Sequence, residues 1–126
     1  MPICLVAGTT TTVVALQAFT LAWTHSVERT GWEEDWRLGD GKLVLVEGRI
    51  KGSGAGMEPP ENARLANGWW VYPGRGMSVE RLRLANAGGA AGRWRVCAEG
   101  SCREIGTSRD APDTLEIAPC AAQKGS

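Results

Sequence analysis

Histidine, phenylalanine and tyrosine each occur once in this chain, and no Lys, Arg, Asp or Glu precedes Glu28. A single histidine leaves little room for a multi-histidine metal centre. Fourteen basic residues balance 14 acidic ones. No net field therefore draws the chain toward nucleic acid or an anionic membrane. Long apolar runs are missing too. No continuous stretch, Val13 to Leu16 included, approaches the roughly 20 residues that span a bilayer. A secretory signal wants a basic start, an apolar run and a small-residue cleavage site. Met1-Pro2 offers no basic start and Thr9 to Thr12 interrupt the apolar stretch, so neither a clear signal peptide nor a transmembrane segment is expected.

Sustained helical periodicity is also nearly absent. What recurs is short apolar alternation punctuated by Gly, Asp, Asn and Pro, the pattern of strands and turns. Ile3 to Ala7 and Thr11 to Leu16 read as a first pair of strands. From Phe19 to Val27 the odd positions, including Leu21, Trp23 and His25, form one face. Arg29-Thr30-Gly31 supplies a turn, and Trp32 to Leu38 returns with Trp32, Glu34 and Trp36 on one side and Glu33 and Asp35 on the other. Gly39-Asp40-Gly41 is a hairpin turn leading into the β-branched stretch Leu43 to Ile50. Gly52 to Asn62 reads as a loop. Gly68 to Pro73, Val79 to Ala85, the arms of a hairpin around Cys97 and Cys102, and Thr114 to Ala118 read as further strands. Asn86 to Gly92 and Asp110 to Asp113 connect them. Eight to ten short strands predict an all-β fold, a compact and mostly antiparallel β-sandwich, with a small β-barrel as the alternative. A chain of 126 residues fits one domain; we expect it over 1–122, with 123–126 as a disordered tail.

Four cysteines stand at 4, 97, 102 and 120. Cys97-Ala-Glu-Gly-Ser-Cys102 reads as a hairpin whose arms a disulfide can staple around a Gly-Ser turn. Cys4 and Cys120 lie near the two termini, which often meet at a domain surface. Free thiols are the alternative. Zinc is disfavoured because Cys-x-x-Cys pairs are missing. Disulfides would imply an oxidising compartment such as the periplasm.

The candidate chemistry centres on Trp23-Thr-His-Ser-Val-Glu28 and Trp32-Glu-Glu-Asp-Trp36. In a hairpin, core-facing residues must meet core-facing residues. Registers in which paired numbers sum to 59 or 61 set His25 against Glu34 or Trp36. Either brings His25 and Glu34 onto one face, walled by indole rings. Ser26 points to the other face, so it cannot join His25 as a serine–base unit. Glu33 and Asp35 share a face about 6.6 Å apart, but they leave one strand in parallel, unlike the opposed acids of a glycosidase. Gly52-Ser-Gly-Ala-Gly-Met57 is followed by no Lys-Ser/Thr and opens no helix, so it is not a phosphate loop. Trp69 and Trp70 must point to opposite faces, one to the core and one to the surface. Nothing in the sequence calls for a cofactor or a metal.

Phe19-Thr-Leu-Ala-Trp-Thr-His-Ser-Val-Glu28, Trp32 to Trp36, Gly52 to Pro60 and Gly68-Trp-Trp70 together resemble an uncharacterised bacterial domain-of-unknown-function family of small proteins. Its members are often encoded beside TRAP transporters of the TAXI type. The resemblance covers most of residues 19 to 105, including the spaced Cys97 and Cys102. It implies an accessory role in the cell envelope, with a TRAP transporter component as partner, and supplies no catalytic residues. The expected function is thus a non-enzymatic accessory or binding protein, with His25, Glu28, Glu33, Glu34, Asp35, Trp69 and Trp70 as candidate binding residues. The alternatives are a carbohydrate or small-anion binding module, and a hydrolase using Glu34 or His25 as base.

Overall fold

A computed structural model describes residues 2–7, 10–24, 31–51, 62–85, 94–105 and 114–120. Several sequence expectations fall outside them: His25, Glu28, the Gly52 to Pro60 loop, the Asn86 to Gly92 and Asp110 to Asp113 connections, and the tail 123–126. Among the described residues there are twelve strands and no helix. They are β1 (Ile3–Ala7), β2 (Thr10–Val14), β3 (Ala18–Thr24), β4 (Gly31–Gly39), β5 (Lys42–Lys51) and β6 (Arg64–Ala66). Then follow β7 (Trp69–Pro73), β8 (Ser78–Val79), β9 (Leu82–Ala85), β10 (Trp94–Ala98), β11 (Ser101–Ile105) and β12 (Thr114–Pro119).

The strands form two antiparallel sheets that do not close on each other, so the architecture is the sandwich and not the barrel. The smaller runs β2-β1-β12-β9, and the larger runs β11-β10-β3-β4-β5-β7-β6 with β8 beside β5. The strand count exceeds the expected eight to ten for local reasons. Arg64–Ala66 pairs with β7 through a two-residue turn at Asn67-Gly68, where both φ angles are positive. Val79 to Ala85 is not one strand. Ser78–Val79 joins the larger sheet and Leu82–Ala85 the smaller, so the chain changes layers between them.

Asp40 and Gly41, with φ of 52° and 76°, make the tight turn between β4 and β5, the left-handed pair that right-twisted strands demand. The β10–β11 turn is Glu99-Gly100, one residue earlier than the Gly-Ser expected, because Ala98 already pairs with Ser101. Asparagine, aspartate and glycine tolerate such angles; Glu99 does so less readily.

The core lies between the sheets. Ile3, Leu5, Leu115 and Ile117 of the smaller sheet face Phe19, Leu21, Trp36, Leu43, Leu45 and Val96 of the larger. These are the alternate positions of each strand, as a half-buried sheet requires. On β5 the alternation breaks. Leu43 and Leu45 are buried, then Gly48 and Ile50, with Val46 exposed between them. A bulge opposite Asp35 and Trp36 absorbs the extra residue.

Both expected disulfides are present. Cys97–Cys102 staples β10 to β11 and Cys4–Cys120 ties β1 to the end of β12. Beside the second, the Cys120 backbone N–H donates to the Pro2 carbonyl at 3.0 Å. No helix among the described residues is long and apolar enough to cross a membrane.

Candidate functional site

The larger sheet turns two chemically different faces outward and inward, and β4 supplies both. In the strand pleat, Trp32, Glu34 and Trp36 point inward while Glu33 and Asp35 point outward. Trp36 is in the core and accepts the packing of Phe19, its cross-strand partner. Trp23 lies opposite Trp32, with ring centroids 5.6 Å apart and planes within 16°. Trp94 packs on the other side of Trp23 at 4.8 Å. Trp32 in turn lies opposite Ile50, and Ile50 opposite Trp70. One row across the sheet is therefore Trp94, Trp23, Trp32, Ile50 and Trp70, and all four tryptophans remain half-buried. The Trp32 Nε1 atom is buried and has no hydrogen-bond acceptor among the described residues.

The next row holds Leu21, Glu34, Gly48 and Tyr72. A Cβ at Gly48 would lie 2.2 Å from Tyr72 Cζ and 2.3 Å from its hydroxyl oxygen. The phenol therefore lies flat across the strand where the side chain is missing, which points its hydroxyl toward the Glu34 column. An isolated strand glycine often marks such a close approach. The Trp36 indole N–H donates to Glu34 Oε1 at 3.1 Å. Burial pushes the Glu34 carboxyl above its usual range, against the smaller pull of that indole bond. Burial, and then the nearby Glu34 charge, push the Tyr72 phenol up as well. A desolvated acid with no cation opposite it disfavours its own ionisation.

The outward face is organised by Arg49 of β5. Its Nε donates to Glu33 at 2.9 Å, its Nη1 to Asp35 at 2.8 Å and Glu47 at 2.7 Å, and its Nη2 to Asp35 at 2.8 Å. The Thr20 hydroxyl donates to Asp35 Oδ1 at 2.7 Å. The Arg49 fork holds the Asp35 carboxyl below the usual range, and the three carboxylates raise the guanidinium further above its own. One cation thus bridges three acids in the fork geometry particular to arginine. Farther along the same face, Lys51 Nζ sits 5.1 Å over the Trp69 ring, and that ring packs against Gly31.

Of the sequence-derived candidates, the structure brings Glu33, Asp35 and Trp69 onto the outer face and Glu34 and Trp70 onto the inner one. His25 and Glu28 lie outside the described residues. The β3–β4 register differs from both expected ones. Its paired numbers sum to 55, which sets Leu21 opposite Glu34 and Trp23 opposite Trp32. The connection between the strands is longer than a tight turn, and indole stacking together with the Phe19–Trp36 core pair fixes the alignment. Glu33 and Asp35 form no sheet edge, because β4 lies between β3 and β5. Trp69 and Trp70 do point to opposite faces, but neither is core and neither is fully exposed. Arg49, Gly48 and Tyr72 were not singled out from the sequence. The lone glycine within Leu43 to Ile50 was the one signal that could have found the last two.

No curated protein and no solved structure matches the chain. A family model described as a domain of unknown function, DUF1850, matches residues 19–105. That span runs from the start of the β3 core stretch to the end of β11 and includes Glu34, Gly48, Arg49, Trp69, Trp70 and Tyr72. The chain belongs to the DUF1850 family.

Proposed function

We propose that this chain is a non-enzymatic accessory or binding module of the cell envelope that works with a TAXI-type TRAP transport system. One observation carries the binding part: four tryptophans and a tyrosine stand half-open on one sheet face beside the carboxylate of Glu34. Tryptophan and tyrosine are amphipathic and dominate recognition surfaces, where an apolar ring meets the ligand and its polar tip stays wet. The two disulfides support an oxidising location, and the sequence resemblance supports the transporter setting. The outer face supports no anion-binding role, since three carboxylates share a single guanidinium there.

The test is affinity purification of the tagged full chain from native membranes in mild detergent, followed by mass spectrometry. The expected result is enrichment of a TRAP membrane subunit or its solute-binding component over a tagged control. Recovery of the folded, disulfide-bonded chain from the envelope fraction with neither component would overturn the transporter reading. Recovery of the chain with reduced thiols from the cytoplasm would overturn the location.

A further inference from the structure

We propose that the inner face around Glu34 binds the ammonium head of a small organic amine, with the Glu34 carboxylate and the Tyr72 phenol oxygen as acceptors and the neighbouring tryptophans as its wall. This deepens the binding reading above and rests on it, but it is independent of the transporter partner.

Three features select that chemistry. First, Glu34 is an acid without a counterion among the described residues. Its only partner among the described residues is the Trp36 indole, which occupies Oε1 alone. A carboxylate accepts at roughly four positions, so Oε2 remains to be answered by a donor. No Lys or Arg among the described residues pairs with it. The sheet spends its nearest cations, Arg49 and Lys51, on the opposite face.

Second, Gly48 lets Tyr72 of β7 lie over β5, so the phenol oxygen crosses the row Glu34, Gly48, Tyr72 toward the carboxylate on β4. Two oxygens on one side fit the diverging N–H bonds of a primary ammonium.

Third, the adjoining row contributes indole rings from Trp32 and Trp70, whose π faces favour a cation and its alkyl stem, with Trp23 stacked behind Trp32. An anion would meet the Glu34 charge. A metal ion would need more oxygen or nitrogen ligands than stand here: among the described residues no group of three or more His, Cys, Asp or Glu is placed to hold one. An organic cation satisfies the carboxylate, the phenol and the aromatic wall together.

The experiment titrates the purified, oxidised full chain with n-butylammonium chloride at constant ionic strength and reads intrinsic tryptophan fluorescence. n-Butanol serves as the neutral isostere, and tetramethylammonium as the cation without N–H. A saturable change with an apparent Kd of about 1 mM or tighter is expected for the primary amine. At least about tenfold weaker binding is expected for both controls and for Glu34→Gln. Tyr72→Phe, which keeps the ring over Gly48, is expected to weaken binding about threefold or more. Circular dichroism shows whether each variant is folded, and Tyr72→Phe provides the second test if Glu34→Gln is not.

Equal response to n-butanol, undiminished binding in folded Glu34→Gln, or no saturable change would overturn the proposal. Equal binding of tetramethylammonium would overturn the hydrogen-bonded assignment. A failed titration beside successful recovery of transporter components would remove the amine and leave the partner. A successful titration with no transporter recovered would do the reverse.

Discussion

Gly48→Ala tests whether Tyr72 lies where the inner-face site needs it. The added methyl would sit 2.2, 2.3 and 2.5 Å from three atoms of the Tyr72 ring. Ordinary carbon contacts are near 3.5 Å, so the ring must retreat by roughly 1.3 Å or swing off the sheet. Swinging off forfeits the buried part of a half-buried tyrosine. At about 100 Å² and 25 cal/mol per Å², that is about 2.5 kcal/mol. Replacing a strand glycine by alanine returns about 0.5–1 kcal/mol. The net loss is therefore about 1.5–2 kcal/mol.

In a Tyr72→Ala background the obstacle is gone, and the same substitution should stabilise by about 0.5–1 kcal/mol. The sign reverses, giving a coupling of about 2–3 kcal/mol between two residues on adjacent strands. Urea unfolding of the oxidised protein, with unchanged m-values, measures all four corners of the cycle. An equal cost for Gly48→Ala in both backgrounds would refute the placement of the ring.

Three further outcomes are expected. Arg49→Met leaves Glu33, Asp35 and Glu47 facing one another. It should cost about 1–3 kcal/mol, discounted because the acids are a third exposed. Added salt should recover part of that loss in urea unfolding, and a salt-independent loss would contradict the charge account. The wild-type Glu34 carboxyl titrates above its usual range. Its contribution is therefore fullest below the ordinary carboxylate pKa and is lost as pH rises through the folded value. Glu34→Gln should flatten that fall, while Asp35, shifted the other way, loses its contribution as pH falls; identical profiles for wild type and Glu34→Gln would count against this. Peptide mapping without reductant should recover Cys4 joined to Cys120. Replacing that pair by serines should lower stability by about 4–5 kcal/mol in the loop-entropy account, the closed segment being nearly the whole chain.

The fold was largely legible because its cues are local. Alternation from Phe19 to Trp23, the Asp40-Gly41 turn and the spacing of Cys97 and Cys102 each specify structure within a few residues. The site was legible only by halves. The sequence placed Glu34 with the tryptophans and set Glu33 and Asp35 on the other side, since a pleat alone decides that. It could not find Arg49 or Tyr72, because Glu33 and Asp35 for the one and Gly48 for the other lie 14 or more positions away on other strands, and pairing across strands depends on register. A tight turn at Arg29-Thr30-Gly31 predicts one of two registers of β3 on β4, whereas the stacking of Trp23 on Trp32 accompanies a different alignment.

Val46 has a role that its exposed valine side chain does not suggest. It is the residue that the β4–β5 ladder skips, and it resets the phase of everything after it. Pairing it into the ladder without a bulge would leave Leu43 and Leu45 facing the core, but Glu47 and Arg49 would turn inward in place of Gly48 and Ile50. The guanidinium would then leave its three carboxylates, and the tyrosine would lose the gap it lies in. Deletion of Val46 would instead make the ladder regular and keep both faces, because Leu45 and Glu47 already oppose the consecutive residues Trp36 and Asp35.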